Sequence, residues 1–240
     1  MVIWLASYPR SGNTFFRIVL KELFNLHTYS IYNDPLEKKL GLAPIVGHIN
    51  LAKNLGQLEN DRNVSFVKTH EYPVDSNSSI YLIRDGRDAT VSWANYIYNF
   101  ERKGSLWLLK KALGTCTPAK IMKELIINDR PYGSWGEHLG SWGEHVAEWT
   151  GAHGGNTIIV RFEDFIKTPK ETALKVVQNL RLDITPNMSA TIPRFHELHQ
   201  KSSNFFRKGE TGLWESEMPD ELKDLFWKKN DDVLIKHGYG

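Results

Sequence analysis

Apolar residues follow two rhythms along this 240-residue chain. Short, nearly unbroken runs at residues 2–6, 64–67, 79–83 and 157–160 read as strands, and each runs directly into turn-forming or charged residues. Between them the apolar positions recur at helical spacing. Phe15, Phe16, Ile18, Val19, Leu20 and Leu23 make one stripe; Val91, Trp93, Ala94, Tyr96, Ile97 and Phe100 make another. Further helices are expected around 120–127, from Trp142 through Val146 and Trp149, from Pro169 to about Leu180, and over 220–236. Strand and helix alternate, which predicts an α/β fold: a central parallel sheet flanked by helical crossovers. Residues 101–133 read as a polar, mobile excursion before the 120–127 helix, and the stretch from Pro193 as loop-rich.

Length and composition narrow the class. A chain of this size suits one α/β domain over 1–240 and buries a substantial core. Hydrophobic content of 41% and charged content of 24% are ordinary for a globular protein, and a formal charge of +2 gives no reason to expect a nucleic-acid partner. The single Cys116 excludes an internal disulfide and any multi-cysteine metal site. No segment reaches the roughly 18 uninterrupted apolar residues of a membrane span. Arg10 follows the first apolar run too closely for a signal peptide, so a cytoplasmic protein is expected, as a monomer or homodimer.

The candidate chemistry lies where strands end. Tyr8-Pro9-Arg10-Ser11-Gly12-Asn13-Thr14 joins the first strand to the first helix. A loop of this kind aims backbone N–H groups and the helix dipole at one point, and Arg10, Ser11, Asn13 and Thr14 add side-chain donors, so it reads as an anion cradle. It lacks the Gly-Lys pair of the ATPase and GTPase phosphate loop. The second strand leads into Lys68-Thr69-His70; side chains two apart share one side of a strand, and a histidine with an unperturbed pKa of about 6.5 suits proton removal near neutrality. The third strand ends at Arg84-Asp85-Gly86-Arg87-Asp88, where Arg84 and Ser92 form a possible second anion grip, against the alternative of a solvated turn with internal ion pairs. Arg207-Lys208-Gly209 with Gly212 has the makings of a flexible cationic clamp. The echo of Ser134-Trp135-Gly136-Glu137-His138 in Ser141-Trp142-Gly143-Glu144-His145 does not have the i, i+4 histidine spacing of a helical metal site, and no metal is expected.

Taken in order, these segments resemble the sulfotransferases that use 3′-phosphoadenylyl sulfate (PAPS), and the resemblance covers nearly the whole chain. It implies a P-loop-like, nucleoside-phosphate-binding three-layer sandwich, PAPS as donor and 3′,5′-ADP (PAP) as product. It also implies that residues 8–14 hold the 5′-phosphosulfate through Arg10, Ser11, Gly12, Asn13 and Thr14. His70 would be the catalytic base, with Lys68 and Arg10 at the transferring group. Arg84 and Ser92, eight apart, with Arg207, Lys208 and Gly209, would hold the 3′-phosphate. Phe15 stands where many members stack a Trp on adenine, and Phe162 where they carry a Tyr; Arg10 replaces the Lys of many members, and Leu213 and Glu215 depart from the usual end of the clamp. The implied partner is a small-molecule acceptor with a hydroxyl or amine, natural products among the candidates. Two other classes share the cradle: a P-loop-like small-molecule kinase, which should carry Gly-Lys-Ser/Thr, and a non-catalytic nucleotide-binding protein, which needs no base.

Overall fold

The apolar run at the N-terminus becomes β1 (Val2–Ser7), and all of its residues are buried. The computed structural model describes residues 1–32, 40–50, 56, 58, 63–101, 104–127, 139–151, 156–202, 205, 206 and 209–240. These divide into two compact units: Met1–Ser7, Ser11–Ile83 and Glu148–Arg194 in the first, and Tyr8–Arg10, Arg84–Ala147 and Phe195–Gly240 in the second.

The first unit holds the whole sheet. Six strands lie in the order β3-β2-β4-β1-β5-β6, and every neighbouring pair is parallel. β1 sits between β4 (Ser65–Thr69) and β5 (Ser79–Ile83), and both of these are buried along their length. Burial on both faces is why the three read as continuous apolar runs. β6 (Thr157–Arg161) closes one edge. The other edge is β2 (Thr28–Ser30) and β3 (His48–Asn50), with the one-turn helix α2 (Ala43–Val46) between them in the chain; the apolar pattern does not predict these two strands. Three residues are too few to show a period, and these strands exist because β4 offers them a ladder, Thr28 opposite Phe66 and Ser30 opposite Lys68.

α1 (Asn13–Phe24) begins two residues before the apolar stripe, with Gly12 as its N-cap at φ 96°. Phe15 and Phe16 pack on Phe165 of the short helix α7 (Phe162–Phe165), with ring centroids 5.1 and 5.2 Å apart. α8 (Pro169–Asn179) starts at its proline as expected, but the Thr168 side chain does not cap it. The Thr168 hydroxyl lies instead within reach of the Asp164 carbonyl and the Thr172 hydroxyl, 3.4 Å from each.

The second unit is built on α3 (Gly86–Tyr96), which continues as a π-helical turn over Ile97–Glu101. It also contains α4 (Ser105–Ala112) and α5 (Pro118–Ile127), the start of α6 (Trp142–Thr150), the short α9 (Phe195–Lys201) and α10 (Trp214–Glu217), and α11 (Asp220–Lys236). α4 corrects the expectation of a polar excursion over 101–133, since Ser105–Ala112 is helical and leucine-rich. α9 likewise breaks up the stretch from Pro193 to Phe205 expected to be loop-rich. The first copy of the Ser-Trp-Gly-Glu-His echo lies outside the described residues; the second forms the start of α6. Among the described residues no helix is long and apolar enough to cross a membrane.

The Arg-Asp-Gly-Arg-Asp turn is buried rather than solvated: Arg84, Asp85 and Asp88 are 7%, 8% and 2% exposed. Asp85 caps α3 by accepting the Arg87 N–H at 2.9 Å. Gly86 meets tight packing, because a Cβ there would lie 2.4 Å from the Trp142 ring and 2.5 Å from the Phe226 ring. Asp88 accepts the backbone N–H groups of Gly212 at 2.8 Å and Trp214 at 3.0 Å, tying residues 212–214 to α3. Its carboxylate also lies 3.7 Å from an Arg84 Nη. Burial pushes the Asp88 carboxyl above its ordinary value of 3.8, against the opposing pull of Arg84 and the two N–H groups.

Two outcomes are expected. Gly86→Ala should destabilise the chain by about 1–3 kcal/mol, because neither ring has room to yield, read as a lower urea midpoint. Because the folded chain holds the Asp88 proton more tightly than the unfolded chain does, this group's contribution to stability is present in full below its unfolded pKa and is lost as pH rises through the folded one. Thermal melts of wild type and Asp88→Asn from pH 4 upward should therefore show wild type losing ground relative to the variant as pH rises; parallel curves would contradict the shift.

Candidate active site

In the first unit, the parallel register that pairs Ala6 with Thr69 brings the residues that follow, Ser7 and His70, side by side. The His70 ring is 4% exposed, and its Nδ1 lies 2.7 Å from the Ser7 carbonyl and 3.3 Å from the Ser7 hydroxyl. A carbonyl can only accept, so Nδ1 carries the proton and the lone pair of the neutral ring is on Nε2. The backbone N–H of His70 donates to the Tyr32 hydroxyl at 2.9 Å, and the two rings stack at 5.7 Å. Lys68 Nζ lies 5.7 Å from the centre of the same Tyr32 ring. Lys68 and His70 thus meet one aromatic side chain, in keeping with their two-residue spacing. Tyr32 itself carries no signal in the sequence. It sits just beyond β2 in a stretch without motif, and only the pairing of Ser30 with Lys68 carries it to His70.

The start of α1 is a built polar turn. Gly12 must be glycine on two counts, its left-handed φ of 96° and the Phe162 ring, which would stand 2.5 Å from a Cβ. Phe162 is 2% exposed and Phe15 is 4% exposed, so both rings are packed side chains in this structure. Asn13 donates its amide to the Leu5 carbonyl at 2.9 Å and lies 3.4 Å from the Ser7 hydroxyl. Its side-chain donors therefore brace the end of β1. The Ser11 hydroxyl, like the Asn13 Oδ1, is buried and has no hydrogen-bond partner among the described residues. A buried hydroxyl without a partner costs free energy, and a helix N-terminus is a place where an anion can supply one. Thr14 is half-buried in the first turn of the helix.

In the second unit, Arg10 has a left-handed φ of 68°, unusual for a residue with a side chain. Its Nε donates to the Ser92 hydroxyl at 3.3 Å, another guanidinium nitrogen donates to the Phe205 carbonyl, and the group lies about 5 Å from the Tyr96 and Phe205 rings. Arg84 donates to the Arg10 carbonyl at 3.1 Å and to the Glu210 carbonyl at 3.0 Å. Arg10, Arg84 and Ser92 are therefore one cluster, although the family resemblance puts Arg10 on the 5′ side and the other two on the 3′ side. Asp88, the carboxylate within this cluster, is a further member that no motif marks; its spacing of i+4 from Arg84 and i−4 from Ser92 is the available signal. Arg207 and Lys208 lie outside the described residues. Gly209, which follows them, has φ 64° and meets the Phe195 ring, only 2.3 Å from where a Cβ would stand.

His145, the described histidine of the echo, is fully buried with its ring 5.6 Å from that of Tyr8. Among the described residues no group of three His, Cys, Asp or Glu side chains comes together.

Comparison with known proteins follows the same lines. The chain is 23% identical over 257 residues to mouse sulfotransferase 1E1, covering 92% of this chain and 79% of that protein. Its fold matches that of mouse sulfotransferase SULT7A1 complexed with PAP, with TM-score 0.65 and 19% identity over 97% of this chain and 86% of that one. A retinol dehydratase in complex with androsterone and the inactive cofactor PAP matches with TM-score 0.57 and 18% identity, over 97% and 80% of the two chains. The model of the sulfotransferase domain family matches residues 2–236, from the first residue of β1 to the last of α11, and this chain therefore belongs to the sulfotransferase family.

Proposed function

We propose that this chain is one sulfotransferase domain that transfers the sulfuryl group of PAPS to a hydroxyl or amine of a small-molecule acceptor, with His70 as the base. The observation that carries the reading is the 2.7 Å contact of His70 Nδ1 with the Ser7 carbonyl, which holds the ring in the tautomer whose Nε2 accepts a proton. In the transfer, Nε2 takes the acceptor proton as the acceptor oxygen or nitrogen bonds to sulfur, and the bond from sulfur to the bridging oxygen breaks. The electron pair stays on the 5′-phosphate, which leaves as part of PAP. Such a step is mostly in-line positioning and charge neutralisation, for which placed cations suffice.

The residues present fit the donor. The buried Ser11 hydroxyl, which has no partner among the described residues, and the first-turn N–H groups of α1 suit the 5′-phosphate, together with Gly12, Asn13 and Thr14. Buried Arg84 and Ser92, with half-buried Arg10, form a cluster rich in donors that suits the 3′-phosphate, to which Arg207, Lys208 and Gly209 are assigned as the clamp. Lys68 is assigned to the transferring group, and Phe15 and Phe162 to the adenine side. PAP in the two solved relatives supports the donor, and androsterone in one of them supports a small alcohol as acceptor. With the family shown, the kinase reading falls.

Labelled PAPS with a panel of alcohols, phenols and amines tests the transfer. His70→Gln should lower kcat by about 10²-fold or more while PAP binding by calorimetry stays nearly unchanged, because the base acts only on the acceptor proton. Near-normal turnover would remove His70 from the role. Arg84→Gln should weaken PAP by roughly tenfold or more, the loss of hydrogen bonds to a charged group, and leave adenosine 5′-phosphosulfate, which has no 3′-phosphate, almost unaffected. Equal weakening of both ligands would reassign Arg84 to structure.

A further inference from the structure

α4 is an apolar helix facing the wrong way for water. Trp107 is its buried residue, at 8% exposed, and packs edge-on against Tyr98 of the π-helical turn with centroids 6.0 Å apart. Its leucines point outward: Leu106, Leu108, Leu109 and the capping residue Leu113 are 65%, 64%, 54% and 65% exposed. Leu106, Leu109 and Leu113 recur at i, i+3 and i+7, so they form one stripe. Scattered exposed leucines are ordinary, whereas a stripe on one short helix is not.

The helix and the loop after it carry lysines, with Glu101 before them and Glu124 after them in the chain. Residues 104–123 contain four lysines, Lys110, Lys111, Lys120 and Lys123, and no Asp or Glu. Lys110, Lys120 and Lys123 are exposed, while Lys111 is half-buried with its Nζ 3.8 Å from the Tyr98 ring centre. Two copies of this chain meeting face to face through α4 would bring Lys110 of one against Lys110 of the other, beside the same leucines, which disfavours self-association. A helix of eight residues standing on a single buried tryptophan offers a ridge rather than a groove, so it does not suit a peptide either.

We propose that α4 is a membrane-surface contact, in which the leucine stripe enters the headgroup boundary of an anionic bilayer and Lys110, Lys120 and Lys123 lie against the lipid phosphates. An amphipathic helix with leucines on one face and lysines beside them lies in the interface plane rather than spanning it. Lysine stems bury alongside the leucines while their ammonium groups stay at the headgroups. The surface stands independently of the transfer reaction, since none of its residues is assigned to the donor, base or acceptor.

Co-sedimentation of the full chain with vesicles of equimolar phosphatidylglycerol and phosphatidylcholine tests this, with pure phosphatidylcholine vesicles as the comparison. Binding to the anionic vesicles, weakened by salt, is expected. Lys110→Glu with Lys123→Glu should weaken it by roughly tenfold or more, at about fivefold for each charge removed. Leu106→Ser with Leu109→Ser and Leu113→Ser should weaken it by about tenfold or more. These side chains are exposed, so circular dichroism and thermal melting should not change, and a variant that melts early is replaced by Leu106→Ser with Leu113→Ser alone. No binding to anionic vesicles, or binding that ignores both sets of substitutions, overturns the proposal. So does a dimer, by light scattering, that the leucine substitutions dissolve, for it assigns the stripe to a second copy.

Discussion

The pairing of β1 with β4 is the constraint on which the arrangement of Ser7, Lys68 and His70 depends. β1 is buried throughout between two parallel neighbours, so its backbone groups must go into the ladders and its register cannot slip without unpairing them. That register sets the Ser7 carbonyl against His70 Nδ1. An imidazole in solution chooses between two tautomers; here a backbone atom at the end of a buried strand chooses for it. Asn13 braces the same strand end through the Leu5 carbonyl, so the start of α1 and the histidine are referred to one rigid element.

The cationic cluster rests on a different balance. Arg10 and Arg84 are held largely by carbonyl oxygens, those of Phe205, Arg10 and Glu210. Carbonyls satisfy N–H donors but leave the positive charge in place. Asp88 is the carboxylate beside Arg84, and burial pushes it toward its neutral form. Among the described residues the cluster thus holds two guanidinium groups beside a carboxyl pushed toward neutrality, a balance that suits an anion. Asp88 also holds the N–H groups of Gly212 and Trp214, so the segment that follows the Arg207-Lys208 pair is anchored to the helix that carries Ser92.

α4 shows how a polar pattern can hide an apolar surface. The 101–133 stretch reads as a polar excursion because lysines, glycines and threonines surround its leucines. Only solvent exposure, with Trp107 turned in and four leucines turned out, reveals a surface rather than a core stripe. Helical spacing of leucines is the same whether the stripe faces a core or water.

The strands at 2–6, 64–67 and 79–83 and the helix at 220–236 were legible in the sequence by itself, because they rest on local periods. The parallel α/β architecture followed from their alternation. What only the tertiary structure decided were the long-range pairings: the edge strands β2 and β3, the Tyr32 ring that meets both Lys68 and His70, the grouping of Arg10 with Ser92, and the place of Asp88 between Arg84 and the Gly212–Trp214 backbone. Each joins residues far apart along the chain, or turns on which side of a helix is buried. No local pattern encodes that, because the energy that selects it comes from packing and from buried polar groups finding partners across the fold.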